Sequence, residues 1–257
     1  MRCGICGMAI VDGVCMHEGQ HHQSRMLGEE RPMAFELTPP QEAAQGQADS
    51  DHYPTPPLLA REGLRAVVEL LGHQPEFMVE PGCADRAPFL TAAANPDWEA
   101  DCDTRLVGVE HRDVPRPEAV DVLGHWFPRT DYLTWTPKSR WAPDLIMTNP
   151  PFSLAVEFIE RSRQLVDPYG LVVMLLQTGI EGSNDRREFW AKHRPILKLT
   201  PRPRPGFVKG GNDSREYAFY VFPGHGLGAL LRNLGRDQWD SRFIDCPSSK
   251  GWGRAEQ

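Results

Sequence analysis

Two consecutive prolines, Pro150 and Pro151, follow the apolar run DLIMT at 144–148 and precede a stretch with helical spacing. Proline lacks the backbone N–H that both a strand interior and a helix interior require. The run therefore predicts a strand that ends here, and the prolines predict a rigid turn into a helix. Because ligands of open α/β sheets bind at the carboxyl ends of the strands, this turn is a candidate functional site.

Apolar runs and helical stretches alternate along most of the chain. Apolar positions recur at helical spacing over 57–71 and 155–165. Strands separated by helices predict an α/β fold with a doubly wound, mostly parallel sheet. The last two runs are close in sequence and predict an antiparallel C-terminal strand pair at the sheet edge. We predict strands at 76–82, 105–111, 144–148, 170–178, 195–203 and 216–223.

Four segments differ in composition. The length of 257 residues fits one α/β domain with a small appendage. We predict a Cys/His-rich segment at 1–33, a polar linker at 34–52, the sheet domain at 53–224 and a C-terminal tail at 225–257.

Composition narrows the cellular setting. There is no run of about 18 apolar residues, so we expect no membrane partner. Six unevenly spaced cysteines in an α/β chain indicate a reducing compartment, with free thiols or a metal site instead of a disulfide framework. We therefore expect a cytoplasmic location.

Charge is unevenly distributed along the chain. The net charge is −7, yet residues 186–209 hold eight Lys or Arg against one acidic residue. A basic face on an acidic body suits a polyanion, although a solvated surface loop has the same composition. We predict nucleic-acid contacts at Arg202, Arg204 and Lys209, because guanidinium forks suit phosphate oxygens.

The turn TNPPF at 148–152 suits one kind of chemistry. An exocyclic amino group of a nucleobase is a weak nucleophile, because its lone pair is delocalised into the ring. The Asn149 side-chain oxygen and the Pro150 carbonyl can accept its two N–H groups, and Pro150 and Pro151 fix the turn. Phe152 can stack on a base rotated out of a duplex. The alternative is an ordinary strand-to-helix turn.

Three segments, DLIMTNPPF, VEPGCADRAPF and YPTPP, resemble motifs of the S-adenosylmethionine-dependent DNA adenine methyltransferases. The stretch from NPPF to DSREYAFYVF is similar to a small type found in phage and prophage genomes. The resemblance covers 53–223. It implies a Rossmann-like methyltransferase fold, S-adenosylmethionine as the cofactor, methyl transfer to the adenine amino group of DNA, and the cytoplasm of a bacterium or phage-infected host. Protein partners remain unknown.

The resemblance also implies a cofactor pocket. Glu80 would bind the methionine ammonium, and Gly82 and Ala84 would lie in the loop that wraps the cofactor. Ala84 and Arg86 stand where the family usually has glycines, and an ordinary strand–turn–helix joint is the alternative. The further implied cofactor residues are Tyr53, Thr55, Glu110, Asp131 and Asn149.

These further residues have distinct implied roles. Glu110 follows the second strand and would accept hydrogen bonds from the ribose hydroxyls. Asp131 resembles the acid that contacts the cofactor's adenine ring. Tyr53 and Thr55 would cover the cofactor carboxylate. Thr55 could equally cap the helix that follows, since Pro57 suits a first helical position.

The N-terminal segment has metal-ligand spacing. Cys3 and Cys6 are two residues apart in a pattern that supplies half of a tetrahedral zinc site. Cys15 with His17 would complete it, with His21 or His22 as alternative ligands. A structural zinc is expected over a catalytic one, and a tail without metal is the alternative.

Two other functions fit the same residues. A planar amino nitrogen also occurs in RNA bases and in the glutamine side chain of a protein substrate. A non-catalytic nucleic-acid-binding protein with a decayed cofactor loop is the remaining alternative.

Overall fold

The structure is a computed structural model that describes residues 53–94, 104–117, 124–137, 142–207, 215–236 and 238–253, and the backbone of 10–11 and 14–15. The latter pieces form an antiparallel hairpin, in which Ile10 pairs with Cys15. Among the described residues, no helix combines the length and apolar character needed to cross a membrane.

An eight-stranded sheet dominates the described chain. Its strand order is β10-β8-β9-β7-β6-β3-β4-β5, and all pairs are parallel except those of β9. The strands are β1 (Ile10–Val11), β2 (Val14–Cys15), β3 (Phe77–Pro81), β4 (Arg105–Val109), β5 (Gly124–Phe127), β6 (Leu145–Thr148), β7 (Leu171–Gln177), β8 (Leu197–Arg202), β9 (Tyr217–Pro223) and β10 (Asp240–Asp245). The helices are α1 (Pro57–Leu71), α2 (Pro88–Ala93), α3 (Ala155–Leu165), α4 (Arg187–Lys192) and α5 (His225–Asn233).

The predicted fold class is confirmed. α1 and α3 have the predicted bounds, and both central strands β3 and β6 are buried along their whole length. Strands buried on both faces read as continuous apolar runs, which is why these were recognisable. The predicted antiparallel pair is present as β8 and β9.

The position of that pair in the sheet was predicted wrongly. β9 lies between β7 and β8, antiparallel to both, and β10 forms the edge beside β8. The residues predicted as a tail after residue 224 include α5 and β10. Only one residue of β10, Ile244, is buried, so its sequence gave no apolar signal.

The core has two halves, one on each face of the sheet. Alternate residues of β7 divide between them: Val173 and Leu175 pack with α1 and α2, and Val172 and Met174 pack with α3. This alternation follows from the two-residue period of a strand. It also fixes which side chains at the strand ends share a face.

Close packing of α1 on β9 predicts a large effect at Gly63. A Cβ at this position would lie 2.5 Å from Cζ of Phe219, which is fully buried. We expect Gly63→Ala to lower the free energy of unfolding by about 1–3 kcal/mol, the usual cost of overpacking a core. Urea unfolding followed by circular dichroism would measure it. Gly182→Ala is the matched control, because no atom lies within 4 Å of the added carbon; an equal loss in both variants would contradict this packing.

Candidate active site

The predicted turn lies at the carboxyl end of β6, beside the loop that follows β3. The Thr148 hydroxyl donates to the Pro81 carbonyl and joins the two strand ends. A Cβ on Gly82 would lie 4.0 Å from Cδ of Pro151, within van der Waals contact. After Pro151 a single 3-10 turn, Phe152–Leu154, leads into α3. The predicted cofactor loop and catalytic turn are therefore neighbours.

Asn149 is held by one end of its side-chain amide. Its Nδ2 donates to the Tyr53 carbonyl at 2.8 Å and to Thr55 Oγ1 at 3.2 Å. A carbonyl acceptor requires the nitrogen on that side, which fixes the amide orientation. The other atom, Oδ1, is buried and has no hydrogen-bond partner in the structure. An unpaired buried acceptor is costly, so Oδ1 requires a donor, which a bound ligand would supply.

Thr55 does not cap α1. The helix begins after Pro56, which has no side-chain cap, and the Thr55 hydroxyl instead accepts from Asn149. The capping interpretation was therefore wrong. Thr55 is 5% exposed, and its hydroxyl accepts a hydrogen bond from the turn that follows β6.

Phe152 belongs to an aromatic cluster. Its ring centroid lies 5.5 Å from that of Tyr53 and 5.9 Å from that of Tyr217, and Tyr217 lies 4.3 Å from Phe207. Sequence reasoning predicted Phe152 but missed Tyr217 and Phe207, because they come from β9 and from the loop after β8. The cluster gives a planar group entering beside Asn149 an aromatic surface to stack on.

Gln177 was also missed. It ends β7 and shares the face of Val173 and Leu175, and it pairs across strands with Tyr217. Its Nε2 is buried without a hydrogen-bond partner. A polar residue that ends a long apolar strand is the signal that could have found it.

The cofactor loop places its unusual backbone angles at small residues. The φ angles of Gly82, Ala84 and Ala87 are +61°, +54° and +39°. Arg86 is not among the positive-φ residues; it is exposed, and its carbonyl accepts from the Thr91 hydroxyl at 2.7 Å. The substitution of a usual glycine by Arg86 is therefore compatible with the loop conformation, and Ala84 and Ala87 carry the strain.

Glu80 is a buried carboxylate on β3. Its Oε2 accepts from the backbone N–H groups of Phe89, at 3.1 Å, and Leu90, at 2.9 Å. Burial raises the pKa of Glu80 well above its usual value, and the two amide hydrogen bonds only partly oppose this. A cation bound at the carboxylate would lower that pKa again, as the predicted ammonium contact requires.

The raised pKa gives Glu80 a predictable effect on stability. Between its unfolded pKa and its higher folded pKa, the native state holds a proton that the unfolded state has lost, so this contribution falls as pH rises. We expect Glu80→Gln to unfold at higher urea than the wild type at pH 8, with the difference vanishing near pH 4. Glu69→Gln, on exposed helix surface of α1, is the control. A difference independent of pH would contradict the assignment.

Glu110 follows β4 and is 1% exposed. Its Oε2 accepts from the Ala84 amide at 2.7 Å, and its Oε1 accepts from Nε of Arg112 at 2.9 Å. Burial alone would raise the pKa of Glu110, but hydrogen bonds from His111 and Arg112 lower it far below its usual range. The carboxylate is therefore charged and joined to the cofactor loop, and this chemistry fits a ribose diol.

A backbone hydrogen bond brings Asp131 close to Glu110. The Thr130 amide donates to the Glu110 carbonyl at 2.9 Å, so the segment after β5 runs beside the end of β4. Asp131 Oδ1 accepts from the Leu133 amide at 2.9 Å and closes a local turn. The structure thus brings Gly82, Glu110 and Asp131 to the carboxyl ends of neighbouring parallel strands.

The predicted nucleic-acid residues are only partly described. Arg202 forms a bidentate ion pair with Asp245, at 2.6 and 2.9 Å, which offsets its charge. Arg204 is exposed on the following loop. Lys209 lies outside the described residues. Arg202 and Arg204 are at the carboxyl end of β8. This end lies on the same side of the sheet as Asn149, at the carboxyl end of β6.

No cluster of three or more His, Cys, Asp or Glu within the described ranges could hold a metal ion. The predicted ligands Cys3, Cys6, His17, His21 and His22 lie outside those ranges, and Cys15 is described by its backbone alone.

Solved structures similar to this chain include methyltransferases. A class I S-adenosylmethionine-dependent methyltransferase from Listeria monocytogenes is 14% identical, with a TM-score of 0.54, and the match covers 74% of this chain and 72% of that one. An RNA methyltransferase from Pyrococcus horikoshii is 17% identical, with a TM-score of 0.50 over 79% of this chain and 98% of that one. No model of a known protein family matches the sequence, and no curated protein does.

A modification subunit of a type I restriction enzyme from Vibrio vulnificus is 16% identical, with a TM-score of 0.49. That match covers 86% of this chain and 51% of the subunit, so the chain spans about half its length. Together with the strand order, the likeness to the Listeria and Pyrococcus structures defines the fold: this chain has the fold of class I S-adenosylmethionine-dependent methyltransferases.

Proposed function

We propose that this protein transfers a methyl group from S-adenosylmethionine to the exocyclic amino group of adenine in DNA. The observation that carries the proposal is the unpaired, buried Oδ1 of Asn149 beside the cofactor loop. Its amide nitrogen is already committed to Tyr53 and Thr55, so Oδ1 is aimed as an acceptor only. An amino group with two N–H donors is the substrate that such an acceptor fits.

The remaining roles follow from position. Asn149 Oδ1 and the Pro150 carbonyl accept hydrogen bonds from the two N–H groups of the amine, which localises the lone pair on nitrogen. Phe152 and Tyr53 supply a stacking surface for the base, and the buried Tyr217 packs against the Phe152 ring. The Gln177 side chain lies on the same face of the sheet as Tyr217. Its N–H would donate a hydrogen bond to a ring nitrogen of the base.

The cofactor site uses the loop after β3 and the end of β4. Glu80 would hold the methionine ammonium, Gly82 and Ala84 the cofactor backbone, Glu110 the ribose hydroxyls and Asp131 the adenine ring. When bound, S-adenosylmethionine supplies a methyl group on a sulfonium. The residues of this chain orient the amine toward it and exclude water, and no covalent protein intermediate is required.

Methyl transfer can be tested with one substrate series. The protein and tritiated S-adenosylmethionine would be incubated with duplex DNA, single-stranded DNA and RNA of one sequence, followed by nucleoside analysis. We expect label in N6-methyldeoxyadenosine. The matched control is the same DNA with hypoxanthine in place of adenine, which keeps the ring and lacks the amino group.

The other outcomes distinguish the competing functions. Label in RNA alone, or in a protein fraction offered in parallel, would replace DNA as the substrate. S-Adenosylmethionine that produces no calorimetric heat and no thermal shift would favour a non-catalytic nucleic-acid-binding protein.

A structural zinc is part of the proposal for the N-terminal segment. The hairpin of β1 and β2 returns the chain so that Cys15 pairs with Ile10, four residues after Cys6 in sequence. We propose that Cys3, Cys6, Cys15 and one histidine form the site. Atomic absorption should find one zinc per chain, lost in Cys3→Ser with Cys6→Ser and kept in Cys246→Ser.

A further inference from the structure

A cavity of about 250 Å³ lies at the amino-terminal ends of the parallel strands, whereas Asn149 lies at their carboxyl ends. It is bounded by the end of α3, the connection from α4 to β8, and α5. The helix α3 begins next to the catalytic turn, and at 1.5 Å per residue its end is about 16 Å away. Four basic side chains line the cavity, namely Arg163, Lys192, Arg194 and Arg232.

Three of these four cations have no carboxylate partner among the described residues. In the part of the chain that the structure describes, no ion pair joins an acid to Arg163, Arg194 or Arg232. Lys192 lies 3.9 Å from Glu160. Like charges gathered around one cavity repel each other, so the cavity has an excess of positive charge that an anion would neutralise.

Arg163 is held in place by its neighbours. Its Nη1 lies 2.8 Å from Nδ1 of His193, and Nε2 of His193 lies 3.2 Å from Glu160 Oε1. His193 therefore accepts from Arg163 and donates to Glu160. Burial and then the nearby charge of Arg232 lower the pKa of Arg163. A fixed guanidinium loses less entropy on binding than a free one.

We propose that this cavity is a second, phosphate-binding site, separate from the methyl-transfer site. Guanidinium forks match two phosphate oxygens at once, and several of them converging suit a group with more than one negative charge. The phosphate belongs either to a free small molecule or to a nucleic-acid strand. Ile196 and Leu231 on the cavity wall leave room for an apolar part of the ligand beside the phosphate.

Calorimetric titration at low salt would test the site with two probes, pyrophosphate and a 12-nucleotide single strand. The test variant is Arg194→Gln with Arg232→Gln, since both side chains are exposed and their loss leaves the fold intact. We expect the wild type to bind at least one probe and the variant to lose at least tenfold in affinity. Arg163→Lys keeps the charge but removes the fork, so we expect a smaller loss of the same binding.

The matched control is Arg65→Gln with Arg242→Gln, which removes the same total charge from two side chains that do not line this cavity. Binding of pyrophosphate that the test variant loses would assign a free phosphate ligand. Binding of the strand alone, lost in the same variant, would assign a nucleic acid. Absence of binding for both probes, or equal losses in test and control variants, would overturn the proposal. Because the titration needs no methyl donor, its result is independent of methyl transfer.

Discussion

Asn149→Ala should reduce the rate of methyl transfer by at least 100-fold. The substitution removes one of the two acceptors proposed for the target amine, and loss of a single preorganised catalytic hydrogen bond costs about 10²–10³ in rate. Cofactor affinity should fall only a few-fold, because the link to Tyr53 and Thr55 is lost while Glu80 and Glu110 remain. Single-turnover kinetics and calorimetry would measure the two effects separately.

Thr55→Val is the matched control for Asn149. It removes one acceptor of Asn149 Nδ2 and leaves Oδ1 and the Tyr53 carbonyl in place. We expect a loss of less than tenfold, since the amide keeps one anchor. If Asn149→Ala retained turnover within a few-fold of the wild type, Asn149 would have no part in the reaction.

Glu110→Ala should weaken S-adenosylmethionine binding by about 10- to 100-fold. A hydrogen bond to a charged acceptor contributes about 1.5–3 kcal/mol, so the net loss of one such bond to the ribose corresponds to this change in affinity. The variant also frees the Ala84 amide, which loosens the cofactor loop. Calorimetric titration with S-adenosylhomocysteine measures the affinity without turnover.

Arg112→Met is the control that separates charge from structure at this position. Arg112 donates to Glu110 Oε1, so it competes with a ribose hydroxyl for the same oxygen. Its removal should leave the affinity unchanged or raise it. Equal weakening in both variants would show that Glu110 serves only to hold the loop.

The helices and buried strands could be predicted because their patterns are local. α1 shows apolar positions at helical spacing, and β7 is buried along six of its seven residues. β5, with the sequence GHWF, is short and only half buried, so no apolar run marked it. Edge strands with polar faces lack the signal on which such predictions depend.

The site was predictable only as far as its motif. The turn at Asn149 was found from four residues, but its anchor, the Tyr53 carbonyl, lies 96 residues away in sequence. The pairing of Arg202 with Asp245 depends on β10, which no hydrophobic pattern in the sequence predicted. The basic side chains that line the proposed phosphate-binding cavity come from three separate parts of the chain, and only the fold brings them together.

Segment 53–55 contacts the turn at Asn149 and Phe152 through the Tyr53 carbonyl, the Tyr53 ring and the Thr55 hydroxyl. Whatever steadies this segment also steadies the Asn149 amide. A donor molecule bound beneath it would thus prepare the acceptor before the second reactant arrives. For the proposed methyl transfer we therefore expect sequential, ordered kinetics, with the methyl donor entering first and its demethylated product leaving last.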